Sequence, residues 1–297
     1  MTKKCKYNVA GIGFTINLPA GYDENEVLAP YIPFKDEEVE SVFSLEIKFA
    51  ELEIGGDLVE IFNDEPPYLW LLKGKNNCLS NSYEYYFGFS LNREKAACLL
   101  SVSEDFTRAE LRLRENPSAQ KLEFVISNAM MLLYTLNSNG RNTLLVHAAV
   151  NEYEGKGYMF LGRSGTGKST HTRLWREHLQ GVTMLNDDNP VVYVKDGQVM
   201  VSGSPWSGKT PCYINRQMPL GAVVRLSQAP YNKITPLGPL HSFAALLPSC
   251  SCLRWDEKSN ARLQKTVEKV VMNVPCYSLE CLPDGAAAHL CFDTVVK

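Results

Sequence analysis

The 297-residue sequence predicts an α/β protein in two parts, a mainly antiparallel β-rich domain over 1–115 and an α/β domain over 116–297. Three observations predict it. Residues 1–115 read as mostly strand and hold no chemical motif. An amphipathic helix opens at Asn116-Pro117. Beyond it, strands and helices alternate around one glycine-rich segment, Gly162–Thr170.

In the first part, Tyr7–Leu18 reads as a strand whose second half alternates apolar and polar residues, and Val42–Phe49 alternates likewise. Tyr68–Leu72, Tyr83–Phe89 and Ala97–Val102 are aromatic and aliphatic runs separated by turn-forming residues. Asp36–Glu40 reads as a solvated loop. At the junction, Asn116 is a good N-cap and Pro117 suits the first helical position. Leu122, Val125, Ile126, Ala129, Met130, Leu133 and Leu136 then share one helical face, and Gly140 follows the end.

In the second part, Thr143–Val150 reads as a buried strand and Gly157–Leu161 as the next. His171–Leu179 reads as a helix ended by Gln180-Gly181, and Val182–Leu185 as a strand. Val191–Val194 and Val199–Val201 form a hairpin about Asp196-Gly197. Gly221–Leu226 is a further strand, His241–Leu247 and Asp256–Asn273 are helices, Tyr277–Leu282 is a last strand, and Asp284 caps a last helix.

Composition narrows the classes. With 45% hydrophobic and 21% charged residues the chain is of ordinary globular type, and a net charge of -3 points to neither a nucleic-acid nor a membrane partner. No apolar run reaches the length of a membrane span, and the first residues do not resemble a signal peptide. The nine cysteines form no C-x-x-C pair and no zinc-like spacing, so a reduced, cytoplasmic setting is expected.

The chemistry starts at Gly162–Thr170, GRSGTGKST, which fits G-x-x-x-x-G-K-[ST] between a strand and a helix. In that context glycines let consecutive backbone amides face a phosphate, and the helix N-terminus adds partial positive charge. Gly162, Ser164, Gly165, Thr166, Gly167, Lys168, Ser169 and Thr170 are the expected nucleotide-binding residues. Lys168 would reach the β- and γ-phosphates, and the Ser169 hydroxyl would hold Mg²⁺. A second segment, Gly203–Thr210, matches the same letters. Pro205 has no amide to offer, and Pro211 disfavours a helix after Thr210, so it reads as a rigid loop. A P-loop enzyme also needs carboxylates at the end of a strand near the loop, and Leu185–Asn189, LNDDN, ends such a strand.

A histidine strand, a turn into GRSGTGKS, a helix, and a strand ending in Asp-Asp together resemble HPr kinase/phosphorylase. They also resemble ATP-dependent phosphoenolpyruvate carboxykinase, which shares that core. The likeness covers roughly 143–202, with a looser match in element order to about 296. It implies a P-loop core with a mixed sheet, ATP (or another NTP) and Mg²⁺, and phosphoryl transfer to a hydroxyl of a protein serine or a small molecule. It also implies roles: Asp187 as the base, Asp188 as a metal ligand with Ser169, and His147 beside the transferred phosphoryl. The HPr kinase signature after the acidic pair is missing, which argues against the HPr protein as acceptor, and Asn186 stands where that family carries a small residue. Transition-state cations are sought among Arg163, Lys209, Arg216, Arg225 and Arg254, with Lys209 the first choice. The expected partners are a nucleotide and a phosphate acceptor, and self-association is open. The rival readings are carboxykinase-type phosphotransfer and a nucleotide sensor without turnover.

Overall fold

A computed structural model describes residues 2–52, 57–62, 68–73, 83–90, 98–114, 116–208, 210–252 and 256–296. They fall into two compact units, Met1–Asn137 and Ser138–Lys297.

The first unit is built on an eight-stranded sheet. Its strands are β1 (Lys3–Val9), β2 (Ile12–Leu18), β3 (Phe43–Phe49), β4 (Asp57–Phe62), β5 (Tyr68–Lys73), β6 (Tyr85–Ser90), β7 (Cys98–Val102) and β8 (Arg108–Leu113), in the order β1-β2-β3-β8-β7-β6-β5-β4. The neighbours pair antiparallel except at β3, which lies parallel to β2 and to β8. β3 is reached from β2 through a short helix, α1 (Glu24–Val27), and a 3₁₀ turn at Ala29–Phe34.

The stretch Tyr7–Leu18, expected as one strand, is the β1–β2 hairpin. Ala10 and Gly11 both take positive φ, 50° and 83°, the geometry of a tight two-residue turn. The expected alternation of β3 is seen in its burial, with Phe43, Leu45 and Ile47 inside. Tyr7, Phe14, Tyr31 and Phe43 pack ring against ring with centroids 5.3–6.2 Å apart.

The long helix α2 (Ala119–Ser138) starts two residues later than expected. Ser118, not Asn116, caps it, its hydroxyl accepting from the Lys121 amide. All seven apolar residues of the predicted face are buried. The Tyr134 hydroxyl donates to the Val9 carbonyl and the Asn137 amide to that of Phe106, so α2 groups with the first unit rather than opening the second.

The second unit is a mixed α/β assembly. Its strands are β9 (Thr143–Leu145), β10 (Ala148–Tyr153), β11 (Lys156–Leu161), β12 (Thr183–Asn186), β13 (Val191–Lys195), β14 (Gln198–Ser202), β15 (Gln217–Gln228), β16 (Lys233–Pro236) and β17 (Cys276–Cys281). Its helices are α3 (Lys168–His178), α4 (Pro239–Leu246), α5 (Glu257–Asn273) and α6 (Gly285–Val295). The order runs β12-β10-β11-β15-β14-β13-β9, with β17 on β15 and β16 on β17. β15 lies parallel to β11 and β17, while the other pairings are antiparallel.

Strand alternation sends side chains to two cores. Met159, Leu161 and Val223 join Leu263, Val267 and Val270 of α5. Tyr158, Phe160, Ala222 and Val224 join Leu174 and Trp175 of α3 and Ala288 and Cys291 of α6. Covered on both faces, β11 and β15 carry continuous apolar stretches, Tyr158–Leu161 and Ala222–Val224. Asp196 and Gly197 close the β13–β14 hairpin with φ of 50° and 80°. Asp256 and Asp284 cap α5 and α6, accepting from the Ser259 and Ala287 amides.

Thr143–Val150 is not one strand. β9 pairs with β13 and β10 with β11 and β12, and the chain changes partners at Val146-His147. There Val146 bridges Cys250, and the His147 amide donates to the Ser249 carbonyl at 2.7 Å. Among the described residues, no helix is long and apolar enough to cross a membrane.

Candidate active site

Three backbone features converge in the second unit: the end of β11 with its glycine-rich loop, the break between β9 and β10, and the turn after β12. The loop leaves β11 at Gly162, where an added Cβ would lie 2.5 Å from the Thr166 hydroxyl. Gly165 and Gly167 take φ of 78° and 104°, and Gly167 is the N-cap of α3. A side chain at either position would be strained, which is the physical reason for glycine there. The helix thus starts at Lys168, three residues before the expected His171. Thr166 turns back onto the Arg163 carbonyl through its amide and its hydroxyl. Ser164 and Ser169 are exposed and Thr170 is half-buried.

Lys168 points inward and is 8% exposed. Its ammonium donates to the Gly162 carbonyl at 2.8 Å and to His147 Nε2 at 2.9 Å. His147 Nδ1 lies 3.0 Å from Asp188 Oδ1, and Asp188 Oδ2 accepts from Asn189 Nδ2 at 2.6 Å. Because Lys168 can only donate, Nε2 accepts and Nδ1 carries the proton toward Asp188. A continuous chain therefore runs from the loop lysine through His147 to the second aspartate. Burial lowers the Lys168 pKa below its ordinary value, while the Asp188 and Asp187 carboxylates pull it back up.

Asp187 differs from its neighbour. It is 5% exposed, and its Oδ1 is buried without a hydrogen-bond partner. The turn carrying both acids is fixed from behind: Asn186, fully buried, accepts from the Asp188 amide at 2.9 Å, and the Asp188 carbonyl accepts from the Ala148 amide at 2.8 Å. Carboxylate oxygens are hard donors of the kind that suits Mg²⁺. Among the described residues, no group of three or more His, Cys, Asp or Glu is arranged to hold a metal ion alone. A Mg²⁺ site shared with substrate phosphates does not require one.

Of the cations considered from the sequence, Lys209 and Arg254 lie outside the described residues. Arg216 pairs with Glu152. Arg163 is exposed in the loop, and Arg225 is exposed within β15, in register with Leu161 at the root of the loop. Gln228, not anticipated, donates to the Gly165 carbonyl at 3.3 Å. Gly203–Gly208 contains no helix or strand, and none starts at Thr210. Its backbone meets the acidic turn, a contact that spacing could not reveal. A cavity of about 300 Å³ between Leu237, Ser242, Met272 and Val274 includes none of these residues.

Comparison with curated proteins finds no match. Among solved structures, the HPr(Ser) kinase/phosphatase from Coxiella burnetii is similar over 51% of this chain and 87% of its own, with 12% sequence identity and a TM-score of 0.31. The model of the SynChlorMet cassette protein ScmC family matches residues 113–288. That span is more than half of the sequence, and the chain belongs to the ScmC family.

Proposed function

We propose that this protein transfers the γ-phosphoryl group of Mg²⁺-bound ATP, or another nucleoside triphosphate, to a hydroxyl of a protein serine or a small molecule. The observation that carries the reading is the Lys168–His147–Asp188 chain, set at the root of a glycine-rich loop beside a buried Asp187 with one oxygen unpartnered. The backbone of 162–167 and the start of α3 form a phosphate cradle, and Lys168 is the cation for the β- and γ-phosphates. Asp188 and Ser169 would hold Mg²⁺, which when bound neutralises phosphate charge.

Asp187 is the base. Its buried Oδ1 has no hydrogen-bond partner in the protein, whereas Asp188 is held in place by His147 and Asn189. As the acceptor oxygen bonds to phosphorus, the bond from that phosphorus to the β,γ-bridging oxygen breaks. The hydroxyl proton passes to Asp187 and the nucleoside diphosphate leaves. His147 steadies Lys168 and Asp188 next to the phosphoryl, and Lys209 is a further cation for the transition state.

The test is phosphate transfer from labelled ATP to a cell extract, paired with ATP binding by calorimetry. Lys168→Ala should weaken ATP binding and remove turnover. ATP affinity and turnover equal to wild type in that variant would refute the site, and ATP binding without any turnover in the wild type would favour a sensor.

A further inference from the structure

The segment Gly203–Gly208 shares the letters of a phosphate loop, but its contacts give it different work. Ser204 is fully buried. Its hydroxyl donates to the Asn189 carbonyl at 2.6 Å and accepts from Asn186 Nδ2 and from the Trp206 amide, each at 3.2 Å. The Trp206 carbonyl accepts from Asn186 Nδ2 and from the Asn189 amide, each at 3.3 Å. The Cys212 thiol donates to the Leu185 carbonyl at 3.5 Å. Leu185, Asn186 and Asn189, which flank the two aspartates, are thus held by Ser204, Trp206 and Cys212.

Two glycines permit this approach. A Cβ on Gly203 would lie 2.0 Å from the Ile214 carbonyl oxygen. One on Gly208 would lie 3.2 Å from the Asp188 Cβ and 3.3 Å from the Asp187 carbonyl oxygen. The first distance is a collision with backbone. The second is tight enough that any side chain there presses on the acids.

From these contacts we infer that Gly203–Gly208 is a clasp that positions the aspartate pair, with Ser204 as its pin and Gly208 as its clearance. Asn186 completes it: one amide side chain joins the Asp188 N–H to Ser204 and Trp206. The role rests on the phosphotransfer reading, because it is the placement of Asp187 and Asp188 for that reaction which the clasp sets. A displacement of the order of an ångström at a reacting group lowers the rate steeply while leaving remote binding contacts intact.

The experiment compares Ser204→Ala, Gly208→Ala and Gly208→Val with wild type in the full chain. Mg²⁺-ATP is the probe, and two readouts are used. The first is steady-state ATP turnover with the cell-extract acceptor, split into kcat and KM. The second, independent of activity, is the imidazole ¹H–¹⁵N signature of His147, whose Nδ1 faces Asp188. The expected result is a kcat lowered roughly 10- to 100-fold in Ser204→Ala and Gly208→Val. Gly208→Ala should lose less, KM for ATP should stay within about twofold, and the His147 signals should shift in the same graded order.

Unchanged kcat and unchanged His147 signals in Ser204→Ala and Gly208→Val would overturn the inference, as would a raised KM with kcat intact. Gly208 is exposed, so its variants remain informative where Ser204→Ala fails to fold. A wild type without turnover sinks the phosphotransfer reading instead. The His147 signals then decide the clasp alone: a graded shift supports it and none overturns it.

Discussion

Glu24 in the first unit and Asp187 in the second are both nearly sealed from solvent, at 3% and 5% exposure, yet their surroundings treat them in opposite ways. Glu24 is saturated. It accepts from the Tyr7 hydroxyl at 2.9 Å, from Lys35 at 2.9 and 3.0 Å, and lies 2.7 Å from the Lys3 ammonium. Burial works to raise its pKa, but the bonds from Lys3, Lys35 and Tyr7 outweigh that and hold it at about 2. Glu110, on β8, is handled alike by Lys48 and Arg112. Asp187 keeps an oxygen with no partner.

A buried charge with every lone pair occupied fixes structure and has nothing left to offer a ligand. One left open costs folding free energy that packing elsewhere must offset. Among the described residues of the first unit, the buried Ser101 hydroxyl has no hydrogen-bond partner. A neutral group is far less costly in that state than a carboxylate.

The sharpest test of this contrast is Asp187→Asn. Turnover should fall by about 10²–10⁴-fold, the usual weight of a general base, while the thermal midpoint holds or rises because a poorly compensated charge is gone. A large loss of stability with turnover retained would make Asp187 a structural carboxylate like Glu24.

Acid should separate the units next. His171, buried on α3 between the Phe160 and Trp175 rings, accepts from the Trp175 indole at 3.1 Å. Burial pushes its pKa down to about 4 from the usual 6.5. The unfolded chain therefore binds the proton first. The stability linked to His171 is complete above about pH 6.5 and is lost as pH falls toward 4, a loss of about 3 kcal/mol by linkage. Glu24 is also depressed, so its contribution is complete above about pH 4.5 and disappears only as pH falls toward 2. Amide exchange followed through an acid titration should open the second unit at higher pH than the first. Simultaneous opening, or the reverse order, would break the comparison.

The smallest effect expected is that of Glu24→Gln. It should destabilise the first unit by about 1–2 kcal/mol, a value discounted because both lysines are partly in water, and should leave ATP affinity unchanged. Denaturant melts together with ATP titration check it.

How much of this was legible in the sequence depended on the range of the forces involved. Local rules found the cap Asp284, the Asp196-Gly197 turn and the buried face of α2, because each is settled within a few residues. The glycine-rich loop was legible for the same reason. The break at Val146-His147 was not, since Thr143–Val150 carries no turn-forming residue and only its distant partners, β13 and β11, decide where one strand stops. The Ala10 turn was hidden because alanine gives no warning of positive φ. The opening of α2 was misplaced because Asn116 and Ser118 are both good caps and only the fold chooses between them. At the site, the letters supplied Lys168, His147, Asp187 and Asp188 as separate candidates. That His147 bridges the lysine and the second acid came from a strand changing partners.

The parallel pairing of β11 with β15 also governs the order in which the molecule is made. Gly157 lines up with Leu220, and everything between them, including the loop, α3 and the acidic turn, must be synthesised before that edge can close. Closing so long a loop costs entropy before any contact rewards it, and parallel pairings are slow for this reason. A nascent chain ending before Gln217 has β10 to pair with β11 on one side and nothing for the other, with Tyr158, Met159, Phe160 and Leu161 along the open edge. That interval is when the chain is most prone to stick to its neighbours and has most need of a chaperone.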